Sequence, residues 1–126
     1  MQIYKNYSDL LRYVVELVRS VKLSFGLRRV AMLSVNYAKY VGEYNIQLVF
    51  NNGMSGTANL EKIVFSDRRE IFLELREKSK FKDFKIAHNT VVWCNELDLA
   101  PEFLYFLAFK DNEKLQGQFG NWGYIA

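Results

Sequence analysis

The chain reads as a small α+β protein: a mainly antiparallel sheet of about five strands with a helix packed on it, an extra N-terminal helix and a short C-terminal helix. Three observations predict this. Apolar residues recur at helical spacing in the first quarter, alternate with a period of two between about residues 30 and 60, and return to helical spacing after Asp67 and after Pro101. With 126 residues, half of them apolar, one domain can bury a core without metal or disulfide support. The divisions that follow are an amphipathic helix over 1–28, an α+β unit over 29–108 and an aromatic, glycine-containing tail over 109–126.

In the N-terminal segment Leu10, Val14, Leu17 and Val21 fall at spacings of four, three and four, and Leu11, Val15 and Val18 widen the stripe. Ser8 is placed to cap the first turn, and Gly26 offers a left-handed stop. The spacing predicts a helix over about 8–23. Its valines lower intrinsic helix propensity, so it needs something to pack against.

After Gly26 the period becomes two. VAMLSVNYAKY alternates, and in YNIQLVF the residues Tyr44, Ile46, Leu48 and Phe50 share one face, the pattern of a strand buried on one side. Asn51-Asn52-Gly53 supplies a hairpin turn. MSGTANL follows as a third antiparallel strand, with Gly56 marking a bulge or a close approach. Asp67 and Glu70 resemble a capping box before a helix near 68–78, whose stripe is Ile71, Phe72 and Leu75. FKIAHNTVVWC reads as two short strands around a turn at His88-Asn89. Pro101 suits the first turn of a short, largely buried helix carrying Phe103, Leu104, Phe106 and Leu107. In the tail, Gly117, Gly120 and Gly123 alternate with Phe119, Trp122 and Tyr124 without a period. That composition fits a disordered end, a final strand or an arm that orders on a partner.

Catalytic chemistry finds few materials. A nucleophilic triad needs a base, and the single histidine, His88, lies in a turn. Cys94, the single cysteine, sits beside Trp93 at a strand end, where a buried inert thiol is the simpler reading. It cannot form an intramolecular bridge, which favours a reducing compartment. One His and one Cys do not fill a tetrahedral metal site without carboxylates. Glu96 and Asp98, two apart in a loop, suit local backbone bonds better than acid–base work. The glycines of GQFGNWG match no phosphate cradle. No enzyme activity, cofactor or metal is expected. Charges at Lys5, Asp9, Arg12, Glu16 and Arg19 interrupt any signal or membrane segment, so a soluble cytoplasmic protein without a membrane role is the expectation.

The formal charge is +3, and six basic side chains against two acids lie within residues 1–29. Arg19, Lys22, Arg28 and Arg29 could line a helix end, and Lys78, Lys80, Lys82 and Lys85 form a second group. Such groups can follow a phosphate backbone, although lysines at helix ends and turns are commonly solvated. No helix-turn-helix, zinc finger or aromatic RNA-binding signature accompanies them.

Two stretches, LSVNYAKYVGEYNIQLVFNNGMSGTANL and FKIAHNTVVWCNELDLAPEFLY, resemble the small bacterial domain-of-unknown-function family 2442 over about residues 29–106. Ile46, Leu48, Phe50 and Gly53 match its hairpin; Trp93, Asn95, Asp98, Leu99, Pro101, Leu104 and Tyr105 match its closing motif. The chain departs at Asn59-Leu60, where an acid usually precedes Leu, and at Cys94, where Pro is common. The resemblance implies a small α+β fold and no established activity. It also implies a setting: some relatives are encoded beside a protein of domain-of-unknown-function family 4160, in what looks like a toxin–antitoxin arrangement. Others carry a DNA-binding helix-turn-helix that this chain lacks.

The closing motif is read as a joint. Trp93 fills the core where sheet meets helix, Asn95 and Asp98 bond amides at the helix start, Pro101 sets its first φ, and Tyr105 follows on that helix. The functional expectation is a non-enzymatic protein–protein module, antitoxin-like or regulatory, whose partner is a cognate toxin or another copy of itself. Phe119, Trp122 and Tyr124 of the tail, with Arg19, Lys22, Arg28 and Arg29, would be its contact residues. Nucleic-acid binding through the basic N-terminal region stands as the alternative.

Overall fold

A computed structural model describes residues 2–3, 32–94 and 96–125. The helix expected over 8–23, together with Arg19, Lys22, Arg28, Arg29 and Asn95, lies outside the described residues.

The period-two segment folds as three antiparallel strands, the first beginning only at Val35, after the irregular residues 32–34. Strands β2 (Val35–Tyr40), β3 (Asn45–Phe50) and β4 (Ser55–Asn59) form an antiparallel meander in that order, with β1 reserved for the pair Gln2–Ile3. Asn51–Gly53 makes the β3–β4 turn: Gly53 has φ 87° and its N–H donates to the Phe50 carbonyl at 3.0 Å. Left-handed backbone at that position is open to glycine without a Cβ clash. Ile46, Leu48, Phe50 and Ala58 are at most 1 % exposed, so one side of the meander is sealed.

Three short helices follow: α1 (Glu61–Ser66), α2 (Glu70–Leu75) and α3 (Lys78–Phe81). Two of them were not separated in the sequence, where one helix near 68–78 stood. The break is physical: Glu77 is extended (φ −81°, ψ 118°) between α2 and α3, and Phe81 turns into the core at 0 % exposure. Asp67 does not cap α2. Its carboxylate accepts the Arg69 N–H at 3.0 Å and pairs with the Arg69 guanidinium, tying the α1–α2 link locally.

The single five-stranded sheet is corrected to two sheets. Strands β5 (Phe84–Ala87), β6 (Thr90–Trp93) and β7 (Leu97–Leu99) pair antiparallel, and β1 adds to β7 in parallel, giving the order β1-β7-β6-β5. Between this sheet and the meander the described backbone shows one bond, from the Val35 N–H to the Asn89 carbonyl at 2.9 Å. A register shift between Val35 and Tyr37 bends β2 just beyond that bond. His88 (φ 53°) and Asn89 (φ 68°) form the expected two-residue turn, both left-handed as a twisted hairpin prefers.

Helix α4 (Pro101–Phe109) lies against β4, and a 3-10 turn (Glu113–Leu115) leads into α5 (Gln116–Trp122). The tail therefore ends as a helix. Phe119 is 0 % and Trp122 8 % exposed; Phe119 meets Phe106 edge-on at 5.2 Å, and Tyr124 stacks on Phe106 at 5.0 Å. Gly123 (φ 87°) closes α5 with N–H bonds back to Gly120 from itself and to Phe119 from Tyr124. Aromatic burial here outweighs the low helix propensity of the two glycines inside α5.

Candidate functional site

The described residues of the closing motif lie where the second sheet leads into α4. Trp93 is fully buried, donates its Nε1–H to the Phe81 carbonyl at 2.7 Å and meets the rings of Phe81 and Phe84 at 5.8 and 6.0 Å. Residues 97–99, expected as loop, are strand β7, with Trp93 opposite Leu97 and Val92 opposite Asp98. Asp98 is thus a strand residue, and α4 starts from Ala100 without a side-chain cap. Pro101 occupies the first turn as read. Thr90 Oγ1 donates to the Leu99 carbonyl at 2.5 Å, holding β6 to the end of β7. Tyr105 is 3 % exposed, accepts from Asn52 Nδ2 at 3.2 Å and packs edge-on against Phe50 at 5.0 Å, so it ties α4 to the β3–β4 turn.

The open depression beside the joint is lined by Asp83, Phe84, Lys85, Val92 and Cys94. Cys94 is exposed, not buried as expected, at φ 56°. Proline cannot adopt that φ, so this turn in its present shape excludes a proline at position 94. Among the described residues no three His, Cys, Asp or Glu side chains stand together as metal ligands, and no helix is long and apolar enough to cross a membrane.

Of the tail rings, Phe119 and Trp122 belong to the core and Tyr124 packs half-exposed against it. Of the second basic group, Lys78 bonds Glu43 at 2.8 Å and Lys80 lies 3.9 Å from Glu74. The Lys78 pKa is raised, chiefly by that hydrogen bond to Glu43.

The surface feature that stands apart is the outer side of the meander. Register places three cross-strand rows there: Tyr37–Val49–Ser55, Lys39–Gln47–Thr57 and, where β2 ends, Val41–Asn45–Asn59. Each of the nine is exposed or half-exposed, Tyr37 by 51 % and Val41 by 45 %. Lys39 is the one charge among them, and no row holds an acid. By contrast, 13 of the 23 residues from 61 to 83, the helical layer, are charged. Asn45 and Asn59 serve the local backbone: Asn45 Nδ2 donates to the Gly42 carbonyl and Asn59 Oδ1 accepts the Glu61 N–H. Tyr37, Lys39, Val41, Gln47, Val49 and Thr57 remain for contact.

Sequence reasoning missed this face because it looked to the segments outside the period-two region. The signal was present as alternation: every second residue of YAKYV and NIQLVF that leaves the core is uncharged except Lys39.

A family model described as "Protein of unknown function (DUF2442)" matches residues 35–110. Among solved structures, the fold is similar to that of a Nitrosomonas europaea ATCC 19718 protein named "Putative DNA Binding Protein NE0471". The TM-score is 0.57 at 11 % identity, covering 79 % of this chain and 66 % of that one. The chain thus spans just under two thirds of that protein's length. No curated protein matches the chain.

Proposed function

Since the chain belongs to the DUF2442 family, whose description assigns no function, we propose a role from its surface: a non-catalytic protein-binding module that engages its partner through the outer face of β2–β3–β4. The observation that carries this reading is the nine-residue face with one charge, set beside a helical layer in which charges are the majority. Charge depletion with an exposed tyrosine is the composition of an interface centre. An antiparallel sheet ordinarily turns a polar, charged side to water; here that side is neutral and partly apolar. An antitoxin-like or regulatory role is the narrower form of the same reading.

The test is co-purification of the tagged full chain from its native cell, compared with Tyr37→Glu and Thr57→Lys variants of matched denaturation midpoint. The wild type should recover a partner in stoichiometric amount, and the variants should lose it. The same proteins recovered at the same yield from all three would overturn the reading.

A second reading is nucleic-acid binding. Two observations favour it: the printed name of the structurally similar Nitrosomonas protein and the surplus of four positive charges in residues 1–29. The remainder of the chain has eleven basic and twelve acidic side chains, so the α+β unit adds no attraction for phosphate. An anisotropy titration at two salt concentrations separates the readings, because phosphate contacts predict affinity that falls steeply with salt.

A further inference from the structure

We infer that the outer face of the meander docks helix α2 of a second copy of this chain. This rests on the reading of that face as a protein interface and names its occupant. The face presents, along β2, a cation between two apolar side chains: Tyr37, Lys39 and Val41, at alternate positions of one strand. Helix α2 presents the inverse pattern. Glu70, Leu73 and Glu74, spaced by three and four, share its solvent side, and Leu73 is 46 % exposed between the two carboxylates.

The same molecule cannot join the two surfaces. α2 buries Ile71, Phe72 and Leu75 in the core that the inner side of the meander also lines, so its outward row faces away from the sheet. Nor do two outer faces suit each other, because each brings Lys39 and neither brings an acid. The carboxylates of α2 are available for exchange. Glu74 has only a surface contact with Lys80 at 3.9 Å, and pairs of that kind contribute little. A carboxylate of α2 on Lys39 seats Leu73 beside Tyr37 and Val49, where both apolar groups leave water.

Such a contact is head-to-tail, with different surfaces on the two copies, and therefore continues into a ring or an open chain. The patch is small for a stable assembly, so association is weak and rises with concentration.

Sedimentation velocity of the full chain across a wide concentration range tests this. The wild type should show a sedimentation coefficient that climbs with concentration. Lys39→Glu should weaken the association by about tenfold. Reversing the other side in the same chain, Lys39→Glu with Glu70→Lys and Glu74→Lys, should restore it. A single monomeric species throughout, or a Lys39→Glu variant that associates like the wild type, overturns the inference. A photo-crosslinking amino acid at position 37 in the native cell distinguishes the two levels of the argument. Adducts to residues 70–76 of its own chain support the docking. Adducts to another protein overturn the docking and leave the protein-binding reading standing, and no adduct overturns both.

Discussion

The two sides of the β2–β3–β4 meander are built from the same three strands and differ in burial and chemistry. The inner side carries Ile46, Leu48, Phe50 and Ala58, all essentially closed to solvent, and Phe109 approaches so closely that a Cβ on Gly56 would lie 2.6 Å from its Cε1. The outer side carries Tyr37, Lys39, Val41, Gln47, Val49 and Thr57 in the open. The difference teaches that one strand period can hold a sealed core side and an open, nearly uncharged side apart, and the proposed docking puts recognition on the open one. A change on one side should move the folding equilibrium, and a change on the other should move association while leaving folding almost untouched.

The largest break on the inner side comes from ending the chain after Lys110. This removes Phe119 and Trp122, and each large aromatic truncation in a core costs about 3–5 kcal/mol. Together these approach the whole stability of an ordinary domain, about 5–15 kcal/mol. The shortened chain should fail to give a cooperative thermal transition by circular dichroism; a sharp transition near the wild-type midpoint would refute the core assignment of α5.

Trp93→Ala ranks next, with an expected loss of about 3–5 kcal/mol in urea unfolding, and Trp93→Phe should recover part of it. The Phe variant still leaves the Phe81 carbonyl without its Nε1–H donor. Gly56→Ala should cost about 1–3 kcal/mol by overpacking against Phe109, and Phe109→Leu in the same chain should reduce the penalty. If the two effects simply add, the close approach is not the cause.

On the outer side, Val49→Thr and Tyr37→Ser should shift stability by no more than about 0.5 kcal/mol. They should nevertheless weaken partner or self-association. A large stability loss at either position would show that the outer face is covered within the folded chain.

The smallest effect concerns Lys78 and Glu43 at the β2–β3 turn. The folded pKa of Lys78 is raised, so its contribution is present below the ordinary lysine value of 10.5 and is lost as pH rises through the raised value. The pair is exposed to solvent and screened, so Glu43→Gln should lower stability in urea unfolding only slightly at neutral pH, and the difference from wild type should vanish as pH rises through the raised value.

Much of this was legible residue by residue. Tyr44, Ile46, Leu48 and Phe50 announce their strand because alternation records which side is buried, and burial is a local choice of residue type. Asn51-Asn52-Gly53 and Pro101 announce their places because backbone dihedral limits act on single residues. Trp93 and Tyr105 are both buried, as large aromatics beside apolar runs ordinarily are. Asp98 was expected in a loop and lies in strand β7, since nothing local distinguishes a loop acid from one in a three-residue strand.

What the chain's order of residues decided was the α+β class, the meander with its two-sided chemistry, the turns and the start of α4, because each follows from short-range sterics and periodic burial. Tertiary structure alone decided that the strands divide into two sheets, that 68–78 breaks at Glu77 and that the glycine-rich end coils into α5. Those outcomes depend on which rings meet across the core, Phe119 on Phe106 and Trp93 on Phe81, and such meetings have no local signature.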